Sequence, residues 1–199
     1  DPSDRRSIVT AASIPAKKLG IKTAMPVSMA LRLYPKLIIV RGDWTWYKQC
    51  SDGFMEICRS YSPVLQKFSI DECFIDMTFR LYRKDPAEVA CRLKDEVREK
   101  LGFTVNVGVG SNKLLAKMAS DFEKPDKVHT LWSEEVPEKM WPLPVGDLLW
   151  VGKKTREKLT GYGIRTIGDL AKIQTKALTS IVGKTFAAQL HEHANGRDD

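Results

Sequence analysis

The stretch Phe68–Asp76, FSIDECFID, restricts this chain more than any other. Its apolar residues are those of a strand in a hydrophobic neighbourhood, yet Asp71 and Glu72 stand side by side within it. An ionised carboxylate in such surroundings is costly unless it is paired or bound to metal. Neighbours in an ideal strand face opposite sides, so the pair is expected at a strand end or bend, where both sets of oxygens can converge on cations. Hard divalent ions such as Mg²⁺ take carboxylates together with phosphate oxygens and water. Two such ions, about 3.5–4 Å apart, can activate an attacking hydroxyl and stabilise a leaving pyrophosphate. Asp76 lies five residues beyond Asp71 and reads as a structural residue at a strand end rather than a third ligand.

Around this stretch the chain reads as an alternation of helices and short strands. Ile8–Ala12 predicts a strand, Pro15–Leu19 a short helix ended by Gly20, Ser28–Tyr34 a second helix and Leu37–Val40 a strand. Tyr47, Cys50, Phe54, Ile57, Cys58 and Tyr61 form one stripe of an amphipathic helix closed by Pro63. VLQKFSIDECFIDM follows as two short strands meeting near the carboxylates. Pro86–Leu101 is a helix with Val89, Leu93, Val97 and Leu101 on one face, ended by Gly102. FTVNVGVG predicts a strand, SNKLLAKMASDF a helix capped by Ser111, and KVHTLW a last strand. The middle third therefore predicts an α+β fold, an antiparallel sheet of split-βαβ (ferredoxin-like) type backed by helices. From Ser133 onward the texture becomes helical with glycine-rich turns.

Charge is distributed unevenly. Residues 1–42 carry 8 basic and 2 acidic side chains, residues 43–131 carry 14 of each, and residues 132–199 carry 10 and 9. A basic lobe beside a balanced, carboxylate-bearing middle suits a polyanionic or phosphate-bearing partner. Apolar runs stay well short of membrane-spanning length, and Cys50, Cys58, Cys73 and Cys91 lack CxxC spacing. They read as reduced small hydrophobes in a cytoplasmic protein with no membrane partner, and His191 and His193 as solvated helix surface. The chain opens at Asp1-Pro2 without a methionine, which predicts a piece of a longer protein.

VGDLLWVGKKTREKLTGYGI has the form of a helix-hairpin-helix, a helix, the turn Val151–Thr155 and a second helix. Amide groups at a helix N-terminus are donors for phosphate. Gly152 permits close approach, Lys153 and Lys154 add charge, and with Thr155 they are candidates for binding a DNA backbone; the competing reading is a structural αα-hairpin with a solvated lysine pair. GVGSNKLLAK matches neither GxGxxG nor a P-loop, and Gly183–Thr185 lacks the earlier glycine of one. Lys124, before Pro125, and Lys17, in the basic lobe, remain as candidate phosphate contacts, each of which by itself reads equally as a surface lysine.

SIDECFID, VNVGVGSNKLLAKMASDFEKP and LWVGKKTREKLTGYGI, in that order, resemble the Y-family, lesion-bypass DNA polymerases of the DNA polymerase IV and UmuC-like group. TAASIPAKKLGIKTAMP resembles their fingers segment. The resemblance implies small α+β fingers at 1–42, a palm with the catalytic carboxylates at 43–131 and a helical thumb at 132–199. It implies template-directed nucleotidyl transfer in translesion synthesis, with Asp71 and Glu72 as catalytic residues and ligands to two Mg²⁺ ions. It implies primer-template DNA and a dNTP as partners, and a sliding clamp reached through a further C-terminal segment. Lys124 takes the place of the family's triphosphate-binding lysine. Lys17 takes that of a fingers arginine, with Ser13 beside it, and Ile14 stands where a tyrosine is usual. Trp150 stands where the thumb hairpin often has glycine. The family's first metal-binding aspartate, its sugar-discriminating aromatic residue and its little finger have no counterpart in this chain. The chain by itself is therefore expected to be weak or inactive. Two other readings compete: a non-catalytic DNA-binding module, and a nucleotidyl cyclase, which the hairpin and fingers disfavour because a cyclase has no duplex to grip.

Overall fold

The computed structural model describes residues 7–78 and 85–198, so Arg5 and Arg6 of the basic lobe lie outside the described residues. The chain divides into two compact units, Asp1–Tyr47 and Lys48–Asp199.

In the first unit, helix α1 (Ile14–Lys18) is capped by Ser13, whose hydroxyl accepts from the Ala16 amide at 3.4 Å. Helix α2 (Val27–Leu33) follows. Ala16, Ile21 and Ala30 are buried together, with Val9, Ala12, Met25 and Leu37 packed against them. The predicted strand at Ile8–Ala12 reduces to one bridge between Ile8 and Pro26. Leu37–Val40 forms no strand either, and Ile38 and Val40 are 86% and 82% exposed. A strand exists by pairing, and among the described residues this segment has no ladder partner.

In the second unit the long helices follow their sequence patterns. Helix α3 (Trp44–Tyr61), whose first turn crosses the unit boundary, buries Phe54, Met55, Ile57 and Cys58. Helix α4 (Pro86–Leu101) buries Val89, Ala90, Leu93 and Val97; Asp85 caps its start, and Gly102 ends it in the left-handed conformation at φ 74°. The two helices share one core cluster, and the Tyr61 hydroxyl donates to Glu96 Oε2 at 2.7 Å.

The sheet differs from the single antiparallel sheet expected. Strands β1 (Leu65–Lys67) and β2 (Cys73–Ile75) pair antiparallel, whereas β3 (Val107–Gly110) and β4 (Val128–Leu131) pair in parallel. Helix α5 (Lys113–Ser120) lies between β3 and β4 in the chain, and a strand that returns through a crossover helix runs parallel to its predecessor. Asn112, not Ser111, caps α5: its side chain accepts from the Leu115 amide at 2.9 Å while its amide group donates to the Gly196 carbonyl at 2.8 Å. Gly108 and Gly110 let α5 lie directly on β3. A Cβ at Gly108 would fall 1.8 Å from the Ala116 carbonyl oxygen, and one at Gly110 would fall 2.6 Å from the Ala116 nitrogen.

Leu114, Leu115, Met118 and Leu131 are buried in one cluster with Val136, Met140, Leu159, Leu170 and Leu190, so α5 and the C-terminal helices share a core. Those helices are α6 (Lys153–Gly161), α7 (Ile167–Lys172), α8 (Thr175–Val182) and α9 (Lys184–Ala194). The helix expected at VGDLLW is only a 3-10 turn, Val145–Asp147, and it cannot continue through Trp150, which turns left-handed at φ 73°. His193 is 5% exposed and His191 partly buried, which corrects their reading as solvated surface. Cys91 is exposed, unlike the core residue expected, whereas Cys58 is buried.

Candidate active site

Asp71 and Glu72 lie in the turn between β1 and β2, not within a strand. The register Lys67↔Cys73 closes the ladder, and the amides of Phe68 and Ser69 both donate to the Glu72 carbonyl, at 3.0 and 3.1 Å. The Ser51 hydroxyl of α3 donates to the Ile70 carbonyl and pins the tip of the turn to the helix. The Ser69 hydroxyl donates to Asp71 Oδ1 at 2.5 Å. A bend therefore frees the two side chains from strand alternation. The hydrophobic enclosure expected from the sequence is not there: Asp71 is exposed, Glu72 partly exposed, and Phe68 and Ile70 are 40% and 37% exposed. Water meets the solvation cost of these carboxylates.

Glu72 is held from the neighbouring helix. Lys117 of α5 donates to Glu72 Oε1 at 2.7 Å and lies 3.2 Å from Asp121 Oδ2. Asp121 Oδ1 in turn lies 2.5 Å from Lys124 Nζ. Burial would lower the Lys117 pKa, but its hydrogen bonds to Glu72 and Asp121 outweigh burial and raise it. Burial likewise works to raise the Asp121 pKa, and the hydrogen bonds from Lys124 and Lys117 bring it below the usual carboxylate range. The sequence-predicted Lys124 thus belongs to the same charge network as the carboxylate turn. Lys117 and Asp121 were missed; in the sequence they are an ordinary helix-surface pair. Asp76 turns to its own loop, accepting from the Thr78 amide at 2.9 Å, in keeping with a structural role.

For Mg²⁺, the residues present fit in kind: two hard carboxylate ligands on an accessible turn. Among the described residues no three His, Cys, Asp or Glu side chains gather into one metal cluster.

Of the predicted hairpin, the second helix is present as α6, and Lys153, Lys154 and Thr155 form its first turn instead of the connection before it. Gly152 is the N-cap of α6 with no side-chain cap bond, and open space surrounds the position of an added Cβ. The amides at this helix start therefore face outward beside Lys153 and Lys154, both exposed, with Thr155 half-buried. Trp150 packs edge-on against Phe68, ring centroids 6.1 Å apart, and so touches the carboxylate turn as well as leading into the hairpin. Ser13 and Lys17 belong to the first unit, where the Ser13 hydroxyl is engaged as a helix cap and Lys17 is exposed.

Comparison with known proteins shows the family. The family model described as the impB/mucB/samB family matches residues 2–121, and that described as the DNA polymerase-iota thumb domain matches residues 146–198. DNA polymerase IV of Clostridium acetobutylicum is 41% identical over 199 residues, which cover 100% of this chain and 50% of that protein. DNA polymerase IV 1 of Bacillus subtilis is 39% identical over 97% of this chain and 46% of its own length. Among solved structures, DinB from Sulfolobus solfataricus superposes with a TM-score of 0.88 at 28% identity, covering 96% of this chain and 57% of that one. An insertion ternary complex of Dbh DNA polymerase gives a TM-score of 0.88 at 28% identity, covering 99% and 59%. The chain belongs to the impB/mucB/samB family, the Y-family DNA polymerases, and spans about half the length of the curated relatives it matches.

Proposed function

We propose that this chain is the catalytic-core part of a lesion-bypass DNA polymerase that adds dNTPs to a primer on a DNA template. The observation that carries the reading is the charge network that joins the SIDE turn to Lys124, so that carboxylates suited to cations and a lysine suited to a triphosphate stand on adjoining elements of one unit.

In this reading Asp71 and Glu72 hold Mg²⁺, with further ligands from the dNTP and from parts of the parent protein outside this sequence. Bound there, Mg²⁺ supplies charge stabilisation for the attacking 3′-hydroxyl and the departing pyrophosphate. Lys124 neutralises triphosphate oxygens. Lys17 is a second such contact, acting as a point charge because it lacks the fork of arginine, and Ser13 lies beside it. Gly152 lets a DNA phosphate approach the α6 amides, with Lys153, Lys154 and Thr155 completing the grip. Catalysis is then chiefly positioning and electrostatic stabilisation.

The fingers correspond to 1–42, the palm to 43–131 and the thumb to 132–199. We place β1–β2 and β3–α5–β4 in one palm of split-βαβ type; the contact of Lys113 on α5 with Gln66 on β1, at 3.2 Å, supports that placement. The parent acts in the cytoplasm, and a sliding clamp is its recruiting partner.

The test is primer extension by the full-length parent with Mg²⁺, beside a variant carrying Asp71→Ala and Glu72→Ala. Extension lost in the variant, with DNA binding retained, supports the reading. An intact parent that binds primer-template tightly but extends nothing refutes it and leaves a DNA-binding module.

A further inference from the structure

Glu72, Lys117, Asp121 and Lys124 form a chain of alternating charge with contacts of 2.7, 3.2 and 2.5 Å. Its middle and its ends differ in solvation. The Lys117 side chain is only 16% exposed, whereas those of Glu72 and Lys124 are 38% and 53% exposed. Lys117 is thus shared between two carboxylates, and Asp121 between two lysines. A polyanion arriving from solvent competes with Asp121 for the accessible Lys124. Once Lys124 has left, Glu72, Lys117 and Asp121 carry a net negative charge, which favours a cation at the accessible Glu72.

We propose that Lys117 and Asp121 are positioning residues that tune how readily Lys124 is given up to a nucleotide triphosphate, and that link this exchange to Glu72. Asp121 competes with the triphosphate for Lys124, and Lys117 moderates that competition by drawing Asp121 toward itself. The inference rests on Lys124 being a triphosphate contact.

The readout is dNTP affinity, measured by equilibrium titration of the full-length parent on a dideoxy-terminated primer-template, where no turnover occurs. Asp121→Asn releases Lys124 and is expected to tighten dNTP binding about threefold, the scale of one partly exposed ion pair. Lys117→Met leaves Asp121 wholly to Lys124 and is expected to weaken binding about threefold, with Lys117→Arg close to the parent. The double variant is the deciding measurement. If Lys117 acts through Asp121, Lys117→Met with Asp121→Asn binds like Asp121→Asn alone. If the two charges act independently on the nucleotide, their effects add and return the double variant to parental affinity, which overturns the proposal. A merely structural Lys117 shifts the thermal unfolding midpoint without this pattern and also overturns it. Lys124→Ala separates the two levels: unchanged dNTP affinity sinks the reading of Lys124 itself, whereas weakened affinity with additive effects sinks only the present inference.

Discussion

Replacing Gly108 by alanine tests the close contact of α5 with β3. The new Cβ would sit 1.8 Å from the Ala116 carbonyl oxygen and 2.5 Å from the Ser120 nitrogen, both backbone atoms of α5. Ordinary contact begins near 3.4 Å, so the helix must retreat by about 1.6 Å, the difference from 1.8 Å. No side-chain rotation relieves a clash with backbone, and α5 cannot move alone. Its Leu114, Leu115, Met118 and Ala119 are 0–4% exposed in the core shared with the C-terminal helices. Overpacking of this kind costs about 3 kcal/mol or more. With a urea dependence of about 2–3 kcal/mol per molar, the unfolding midpoint falls by roughly 1 M or more. Gly110→Ala, with its nearest backbone atom at 2.6 Å, is expected to follow in the same direction with a smaller loss. Gly161→Ala is the control: it lies at the end of α6 with open space around it, and alanine there is expected to stabilise by about 0.5 kcal/mol. A Gly108→Ala protein that unfolds at the parental urea concentration would refute the packing of α5 on β3.

Three further outcomes are expected. Trp150→Gly should be more stable than Trp150→Ala by about 1 kcal/mol in chemical unfolding, because both lose the Phe68 contact but only glycine adopts φ 73° without strain; equal stabilities would contradict the left-handed backbone there. Tyr61, whose phenol is pushed up from 10.0 to about 12 by burial and by its hydrogen bond to Glu96, favours the folded state fully below pH 10.0 and loses that contribution as pH rises to about 12. Ultraviolet titration should show a late-ionising component that is missing in Tyr61→Phe. Alkylation should label exposed Cys91 first and Cys58, 1% exposed, only on unfolding; simultaneous labelling would argue against the α3–α4 core.

The sequence by itself determined what depends on near neighbours. The helices α3 and α4 follow from apolar residues three and four apart, and Gly102 ends α4 because glycine tolerates the left-handed turn. The unusual Asp71-Glu72 pair and the order of three motifs pointed to the family that the comparisons show. Tertiary structure alone decided what depends on distant partners. Whether β3 and β4 run parallel is set by how α5 crosses between them, and Leu37–Val40 fails to form a strand because no described segment pairs with it. The openness of the carboxylate turn could not be read from FSIDECFID, since apolar letters do not reveal which side chains a bend leaves in water. Asn112 displaced Ser111 as the cap of α5 because its side chain also reaches Gly196, 84 residues away. Lys117 showed least of all: its meaning comes from Glu72, 45 residues earlier, and a charge pair across that separation exists only after the chain has folded.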